Sequence, residues 1–241
     1  MSHNTLNENT LEIHNHCRSL NVKAIKTEKY FFFKNYSYLV TNLRNHSAVL
    51  IDPAWEAKKI DKEITDNDIF ITDILLTHSH FDHTDLANYF ATQYNCNVWM
   101  SVYEIEYHGF KCKNLIAFNN LETLTLSDIK INPIVTPGHT HGSTCYLIDN
   151  YLFTGDTLFT EGCGLCWGKG SDPGKMFESL QLLKHLINPD VLVFPGHSYG
   201  KLPGKAFKYL TDNNIYLQFD DKEMFIDYRM RKNQKGLFNF V

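Results

Sequence analysis

Ile69-Phe70-Ile71-Thr72-Asp73-Ile74-Leu75-Leu76-Thr77, followed at once by His78-Ser79-His80-Phe81-Asp82-His83, is the stretch that decides how this chain reads. The first nine residues form a nearly continuous apolar run bounded by polar residues, the pattern of a strand buried on both faces. The next six carry four side chains able to bind a metal. In extended backbone His78 and His80 point the same way, because side-chain direction alternates with period two. The chain then turns into a helix, which brings Asp82 and His83 round to face a second point. Ligands at a strand end are anchored on a rigid element, with loop freedom to close round an ion.

Three further pieces have the same context. Pro137-Gly138-His139 follows a strand read over Ile129 to Thr136. Gly155-Asp156 follows one over Tyr151 to Thr154, and Pro195-Gly196-His197 follows one over Val191 to Phe194. Glycine before each ligand lets the backbone turn sharply and approach closely. Taken singly, each is an ordinary loop; the cluster from His78 to His83 is what raises them. Five His and two Asp are too many for one tetrahedral ion and divide naturally over two. Neutral imidazole and carboxylate suit zinc, and also iron or manganese. Asp156 is the candidate to bridge the pair. Two such ions supply a water with its pKa lowered to about 7 and polarise a carbonyl. His141 is a candidate to support a ligand from behind.

The remaining pattern is that of one α/β domain with mixed sheets over residues 21–241, after a polar lead-in over 1–20. Tyr36 to Thr41 and Ala48 to Asp52 suggest a hairpin. Glu56 to Thr65 and Thr84 to Tyr94 have helical spacing, the latter with Leu86, Tyr89, Phe90 and Tyr94 on one face. Ser143 to Ile148 is strand-like, with Asp149-Asn150 as a turn. Asp172-Pro173 starts a helix that runs to about Ile187. Asp220 to Lys235 forms an amphipathic helix through Met224, Phe225, Tyr228 and Met230.

Composition narrows the function classes. A chain of 241 residues, 43% hydrophobic and 21% charged, is ordinary for a globular protein with a sizeable core. A net charge of -4 with scattered Lys and Arg argues against a nucleic-acid binder. No apolar run approaches the roughly 18 residues that span a bilayer, and Met1 to Asn15 lacks a signal-peptide pattern. Six cysteines are too sparse for a disulfide scaffold, which points to the cytosol. Cys163-Gly164-Leu165-Cys166 has no second pair to complete a zinc ribbon, and reads as a loop packed near the metals, with a redox pair as the alternative.

As a set, Thr77 to His83, Pro137-Gly138-His139-Thr140, Gly155-Asp156-Thr157-Leu158-Phe159 and Gly196-His197 resemble the metallo-β-lactamase superfamily. The resemblance implies an αββα sandwich with two metals at one edge of facing sheets. It implies that His78, His80 and His139 hold the first metal, that Asp82, His83 and His197 hold the second, and that Asp156 bridges. Asp82 would also orient the nucleophile. Within the superfamily, Gly162-Cys163-Gly164 and Gly196-His197-Ser198-Tyr199 are similar to glyoxalase II, a thioesterase acting on hydroxyacylglutathione. That pattern places a Lys after Cys-Gly to grip glutathione, where this chain has Leu165, with Trp167 two residues on. The long helical C-terminal extension of glyoxalase II is also absent.

The fuller string, with Cys163 to Trp167, Phe194 to Lys201 and Arg229-Met230-Arg231-Lys232, resembles the zinc-dependent hydrolases of trans-acyltransferase polyketide synthase clusters. The function so implied is a two-zinc thioester hydrolase acting on carrier-protein or pantetheine-type thioesters, with Trp167 and Tyr199 contacting substrate. The alternatives are a glutathione thioesterase, an iron persulfide dioxygenase of the same fold, and a metal-stabilised binding module without turnover. The Arg229, Arg231 and Lys232 cluster reads as a solvated helix face, or else as a contact for an acidic carrier protein or a pantetheine phosphate.

Overall fold

Alternation along the strands builds two sheets that face each other. In the computed structural model, which describes residues 10–13, 19–29, 33–232 and 234, the first sheet has seven strands in chain order. These are β1 (Thr10–Ile13), β2 (Leu20–Lys29), β3 (Phe33–Asn42), β4 (Ser47–Ile51), β5 (Phe70–Leu75), β6 (Asn97–Ser101) and β7 (Leu115–Phe118). The second has six: β8 (Leu124–Leu126), β9 (Ile129–Val135), β10 (Thr144–Ile148), β11 (Tyr151–Gly155), β12 (Leu192–Pro195) and β13 (Lys205–Ala206). Its order is β13-β12-β11-β10-β9-β8.

Tyr36, Tyr38 and Val40 of β3 and Val49 and Ile51 of β4 face inward, meeting Tyr146, Tyr151, Phe153 and Phe194 from the other sheet. The intervening residues, Leu39, Ala48 and Leu50, face outward under α1 (Ala57–Thr65) and α3 (Ala87–Gln93). The second sheet is covered by α5 (Pro173–Leu186), α6 (Phe207–Asn213) and α7 (Lys222–Arg229), through Met176, Leu180, Leu183, Leu210 and Phe225. The remaining helices are the short α2 (Phe81–Thr84) and α4 (Val102–His108). Helix, sheet, sheet, helix is the order of layers, so β5 is buried on both faces: Leu75 in the central core, Ile74 and Leu76 in the outer one. Each such side chain contributes about 1.5–3 kcal/mol on burial.

Strand direction places the site. β4 and β5 are parallel. β9 is antiparallel to β10, β10 is antiparallel to β11, and β11 is parallel to β12, so β9, β11 and β12 run the same way. Every segment carrying a candidate ligand therefore leaves the C-terminal end of a strand, and these ends gather at one edge of the sandwich.

Two local readings are corrected. The helix over Thr84 to Tyr94 is two helices, because the Leu86 N–H donates to Pro53 O (3.1 Å) instead of continuing the first. Ala87, Phe90 and Ala91 face the sheet, while Tyr89 is exposed and donates to Asp61. Met224 in α7 and Met230 just after it are exposed; Phe225 and Arg229, four residues apart, form the buried face, so Arg229 does not sit on a solvated one. The backbone of Thr10–Ile13, within the polar lead-in, pairs with β2. Asp172 caps α5 as its sequence suggests, accepting from Lys175 N at 3.0 Å.

Candidate active site

Thr77 to His83 leaves β5 and enters α2, and the fold brings the seven candidate side chains to one place. His78 Nε2 and His80 Nδ1 are 3.1 Å apart, and His139 Nε2 lies 2.9 Å from the same His80 nitrogen. His83 Nε2 is 3.3 Å from Asp156 Oδ1 and 3.8 Å from Asp82 Oδ2. His197 Nε2 is 3.3 Å from Asp82 Oδ2 and 3.5 Å from Asp156 Oδ2, which is also 3.5 Å from His139 Nε2. Three groups emerge, each with donor atoms within 4.8 Å of one another: His78, His80 and His139; Asp82, His83 and His197; and His78, His83 and Asp156. Asp156 reaches members of both of the other two.

The partners behind the imidazoles fix which nitrogen carries the proton. Asp52 Oδ2 accepts from His83 Nδ1 at 2.9 Å, Leu165 O from His139 Nδ1 at 2.7 Å, and Lys34 O from His197 Nδ1 at 2.7 Å. Thr77 Oγ1 donates to Asp52 Oδ2 at 2.6 Å, so it is free to accept from His78 Nδ1 at 3.0 Å. When neutral, the four rings thus present an Nε2 lone pair to a common centre. Lone pairs facing one another at about 3 Å suit a cation between them and little else. His83 Nε2 and Asp156 Oδ1 are buried with no hydrogen-bond partner, which fits an ion in the same way.

Electrostatics divides the set. Burial, then the neighbouring imidazoles, pushes His78 well below the ordinary histidine range and His80 down to about 4; His139 is lowered chiefly by burial. These three are neutral at pH 7 and ready to ligate. Burial also opposes charge on His83 and His197, but the carboxylates of Asp156 and Asp82 outweigh it. They raise His83 strongly and His197 to about 9. The same cations hold Asp82 and Asp156 below the usual carboxylate range against their own burial.

The profile of the metallo-beta-lactamase superfamily matches residues 31–197. The chain belongs to that superfamily. It is 43% identical over 219 residues to the probable polyketide biosynthesis zinc-dependent hydrolase PksB of Bacillus subtilis, covering 91% of this chain and 97% of that one. The corresponding BaeB protein of Bacillus velezensis is 46% identical over the same shares. A hydroxyacylglutathione hydrolase from Buchnera aphidicola is 33% identical over 186 residues, 76% of this chain and 70% of that one. Among solved structures, ETHE1 from Myxococcus xanthus superposes with a TM-score of 0.77 at 24% identity, covering 90% and 94%. That likeness agrees with the αββα superfamily fold described above.

In this superfamily member, His80 and Asp82 are the half-exposed members of the set, and they open onto a pocket of about 490 Å³. Leu165, Trp167 and Tyr199 line it; Trp167 is exposed, and Tyr199 packs against Phe159 at 5.1 Å between ring centres. The Cys163 to Cys166 loop lies against the site, with both thiols buried and Leu165 O on His139. Gly164 and Gly196 are required there. A Cβ at Gly196 would press into the His83 ring and the Asp156 carboxylate, and one at Gly164 into Asp156 O and the His139 ring. His141 stacks on Tyr107 at 4.3 Å, away from the ligand rings.

Two supporting residues are absent from the sequence reading. Asp52, at the end of β4, also accepts from Thr77 N at 2.8 Å. Its only sequence signal is a carboxylate closing an apolar strand. Glu104 of α4 is fully buried and ties two ligand-bearing loops together. Oε1 accepts from Ser79 N (2.9 Å) and Ser79 Oγ (2.6 Å), Oε2 from Thr140 Oγ1 (2.9 Å) and Gly142 N (2.8 Å). Nothing local in Tyr103-Glu104-Ile105 signals that role. Among the described residues no helix is long and apolar enough to cross a membrane.

Proposed function

We propose that this hydrolase uses two zinc ions to cleave acyl groups from carrier-protein or pantetheine-type thioesters in polyketide biosynthesis. The observation that carries the reading is the convergence of seven donor atoms, with tautomers fixed from behind, at the mouth of a pocket. His78, His80 and His139 would hold one ion, Asp82, His83 and His197 the other, with Asp156 between them. Zinc bound there supplies a water acidic enough to be a nucleophile near pH 7 and a Lewis acid for the thioester carbonyl.

The chain's own residues do the rest. Asp82 presents a charged carboxylate to the pocket and accepts a hydrogen bond from the attacking water, which orients it. Leu165, Trp167 and Tyr199 bound the space beside the donors, exclude bulk water and hold the arms of the thioester. The names of the two Bacillus relatives support the polyketide assignment, and their near full-length match supports a shared substrate class. A cytosolic location belongs to the same reading: Cys96, Cys112, Cys145, Cys163 and Cys166 are all unpaired.

The second reading is a hydroxyacylglutathione hydrolase, favoured by the match to that enzyme class. Leu165 separates the two. Its apolar side chain lines the pocket and cannot pair a glutathione carboxylate, a contact of about 1.5–3 kcal/mol when a cation makes it. The test is kcat/KM for matched acyl-pantetheine and acylglutathione esters. The pantetheine ester should be favoured, by roughly ten- to a hundredfold, and Leu165→Lys should narrow the gap. A preference of the unmodified enzyme for the glutathione ester overturns the carrier-thioester reading. Metal analysis of the active protein should give two equivalents of zinc per chain.

A further inference from the structure

The start of β3, from Lys34 to Ser37, reaches all three members of the Asp82, His83 and His197 group. Lys34 O accepts from His197 Nδ1 at 2.7 Å, and Tyr36 N–H donates to Gly196 O at 2.9 Å, so the loop carrying His197 is tied to the strand. Ser37 Oγ donates to Asp52 O at 2.8 Å, and Asp52 in turn holds His83 Nδ1. Asn35 Nδ2 donates to Asp82 O. Lys34 and Tyr36 act through main-chain atoms that other residues also carry; Asn35 acts through its side chain. The Asp82 carbonyl needs that donor. In a continuing helix it would accept from Leu86 N–H, four residues on. That N–H donates instead to Pro53 O (3.1 Å), and α2 ends after one turn.

Folding by itself gives no reason for an amide at position 35. Asn35 is 1% exposed, and among the described residues its Oδ1 is buried with no hydrogen-bond partner. Thr27, directly opposite on β2, is fully buried, and its Oγ1 is likewise unpaired. Buried polar atoms without partners weaken a fold, and an apolar side chain of the same size would leave none. What the amide alone provides is its bond to Asp82 O. Resting on the two-metal reading, we propose that Asn35 is a positioning residue for the Asp82, His83, His197 position. It fixes the Asp82 backbone against the strand whose carbonyl holds His197, and so aims the Asp82 carboxylate. Asp82 Oδ2 lies 3.3 Å from His197 Nε2 and 3.8 Å from His83 Nε2, and Asp82 lines the pocket. A small rotation of its one-turn helix therefore changes both the ligand spacing and the direction offered to the attacking water. The His78, His80, His139 position is braced from another element, where Glu104 of α4 ties Ser79 to Thr140 and Gly142.

The experiment is chelator competition for zinc on the unmodified full chain and on Asn35→Leu. The variant should weaken the Asp82, His83, His197 position about tenfold or more, with a smaller change at the other. With zinc saturating, kcat on an acyl-pantetheine should fall about tenfold or more while KM stays within about twofold, because the group displaced is the one that orients the water. Equal weakening at both positions together with a lower metal-free Tm marks a merely structural residue and overturns the proposal. If Asn35→Leu does not fold, nuclear magnetic resonance of the unmodified protein decides. The Asn35 side-chain NH₂ signals should shift with the zinc equivalent that moves the His197 signals; signals that ignore that equivalent overturn the assignment. Unmodified protein fully active with a single zinc refutes the two-metal reading itself. Two zincs, both held by Asn35→Leu as tightly as by the unmodified chain, refute the positioning role alone.

Discussion

Replacing Asp52 with Asn changes almost no volume, so its effect isolates the hydrogen bonds behind His83. Oδ2 accepts from His83 Nδ1 at 2.9 Å and from Thr77 Oγ1 at 2.6 Å, and Oδ1 accepts from Thr77 N at 2.8 Å. An amide must set its NH₂ against one of these donors. The Thr77 backbone N–H cannot change, so the amide oxygen turns to it and the NH₂ faces His83. His83 Nδ1 then has to accept, which moves its proton to Nε2, the atom 3.3 Å from Asp156. That atom can no longer ligate. Loss of a partner behind a ligand typically weakens metal binding by about 10–100-fold, or roughly 1.4–2.7 kcal/mol. The Asp82, His83, His197 position should weaken by that amount, and the His78, His80, His139 position should weaken with it, because Thr77 Oγ1 loses the same acceptor and with it the arrangement that lets His78 Nδ1 donate. Competition against a chromophoric chelator resolves the two steps. The lost charge-assisted bonds, about 1.5–3 kcal/mol, should also lower the metal-free Tm by roughly 3–12 °C. Asp52→Asn protein with both zinc affinities unchanged would refute the tautomer argument.

Loading zinc at pH 7 should release two more protons at the second position than at the first, because His83 and His197 are raised, the latter to about 9, while His78, His80 and His139 are already neutral. Calorimetry in buffers of different ionisation enthalpy counts them, and equal release at both steps contradicts the assignment. Above about pH 9 the difference should shrink, since His197 has then lost its proton before zinc arrives. Glu104→Gln sets an NH₂ against Ser79 or Gly142 N–H and should cost about 2–4 kcal/mol, seen as a lower urea midpoint at constant m. Cys163 and Cys166, pushed upward by burial (Cys166 to about 12), should resist iodoacetamide at pH 8 in native protein and react on unfolding, as followed by peptide mass spectrometry.

The legible parts of this chain are those whose determinants are local. β5 shows itself because burial on both faces leaves a continuous apolar run, and four candidate ligands follow within six residues. β2 escapes the same reading. Its inward Val22 and Ala24 alternate with Lys23 and Ile25, and Lys26, Glu28 and Lys29 break the pattern, yet it pairs with β3 over ten residues. Pairing with a neighbour, rather than its own composition, holds it. Arg229 misleads for the opposite reason. A cluster of basic residues beside Met230 reads as solvated, but helix phase buries the position four residues after Phe225. Asp52 and Glu104 act on partners 25 or more residues away, so no window along the chain contains both ends of the interaction.

The separation of support from selectivity explains how a site of this kind can keep its donors while its pocket changes. Two of the imidazoles are held by main-chain oxygens, His139 by Leu165 O and His197 by Lys34 O. A carbonyl is supplied by any residue, so the identity of residue 165 is free of the duty to orient His139. Its side chain lines the pocket instead, where under the proposed function it would face the thiol arm. The constraint that remains is on backbone path. Gly164 keeps the loop close enough for the next carbonyl to reach the ring, since a Cβ there would strike Asp156 O. Substitution at position 165 should therefore alter which thioester is taken, with little effect on zinc affinity, whereas substitution at 164 should disturb the metal site itself. Leu165→Lys and Gly164→Ala, compared by chelator competition, put the two roles side by side. A loss of zinc affinity in Leu165→Lys as large as that in Gly164→Ala would show that the side chain, and not the carbonyl, secures the ligand.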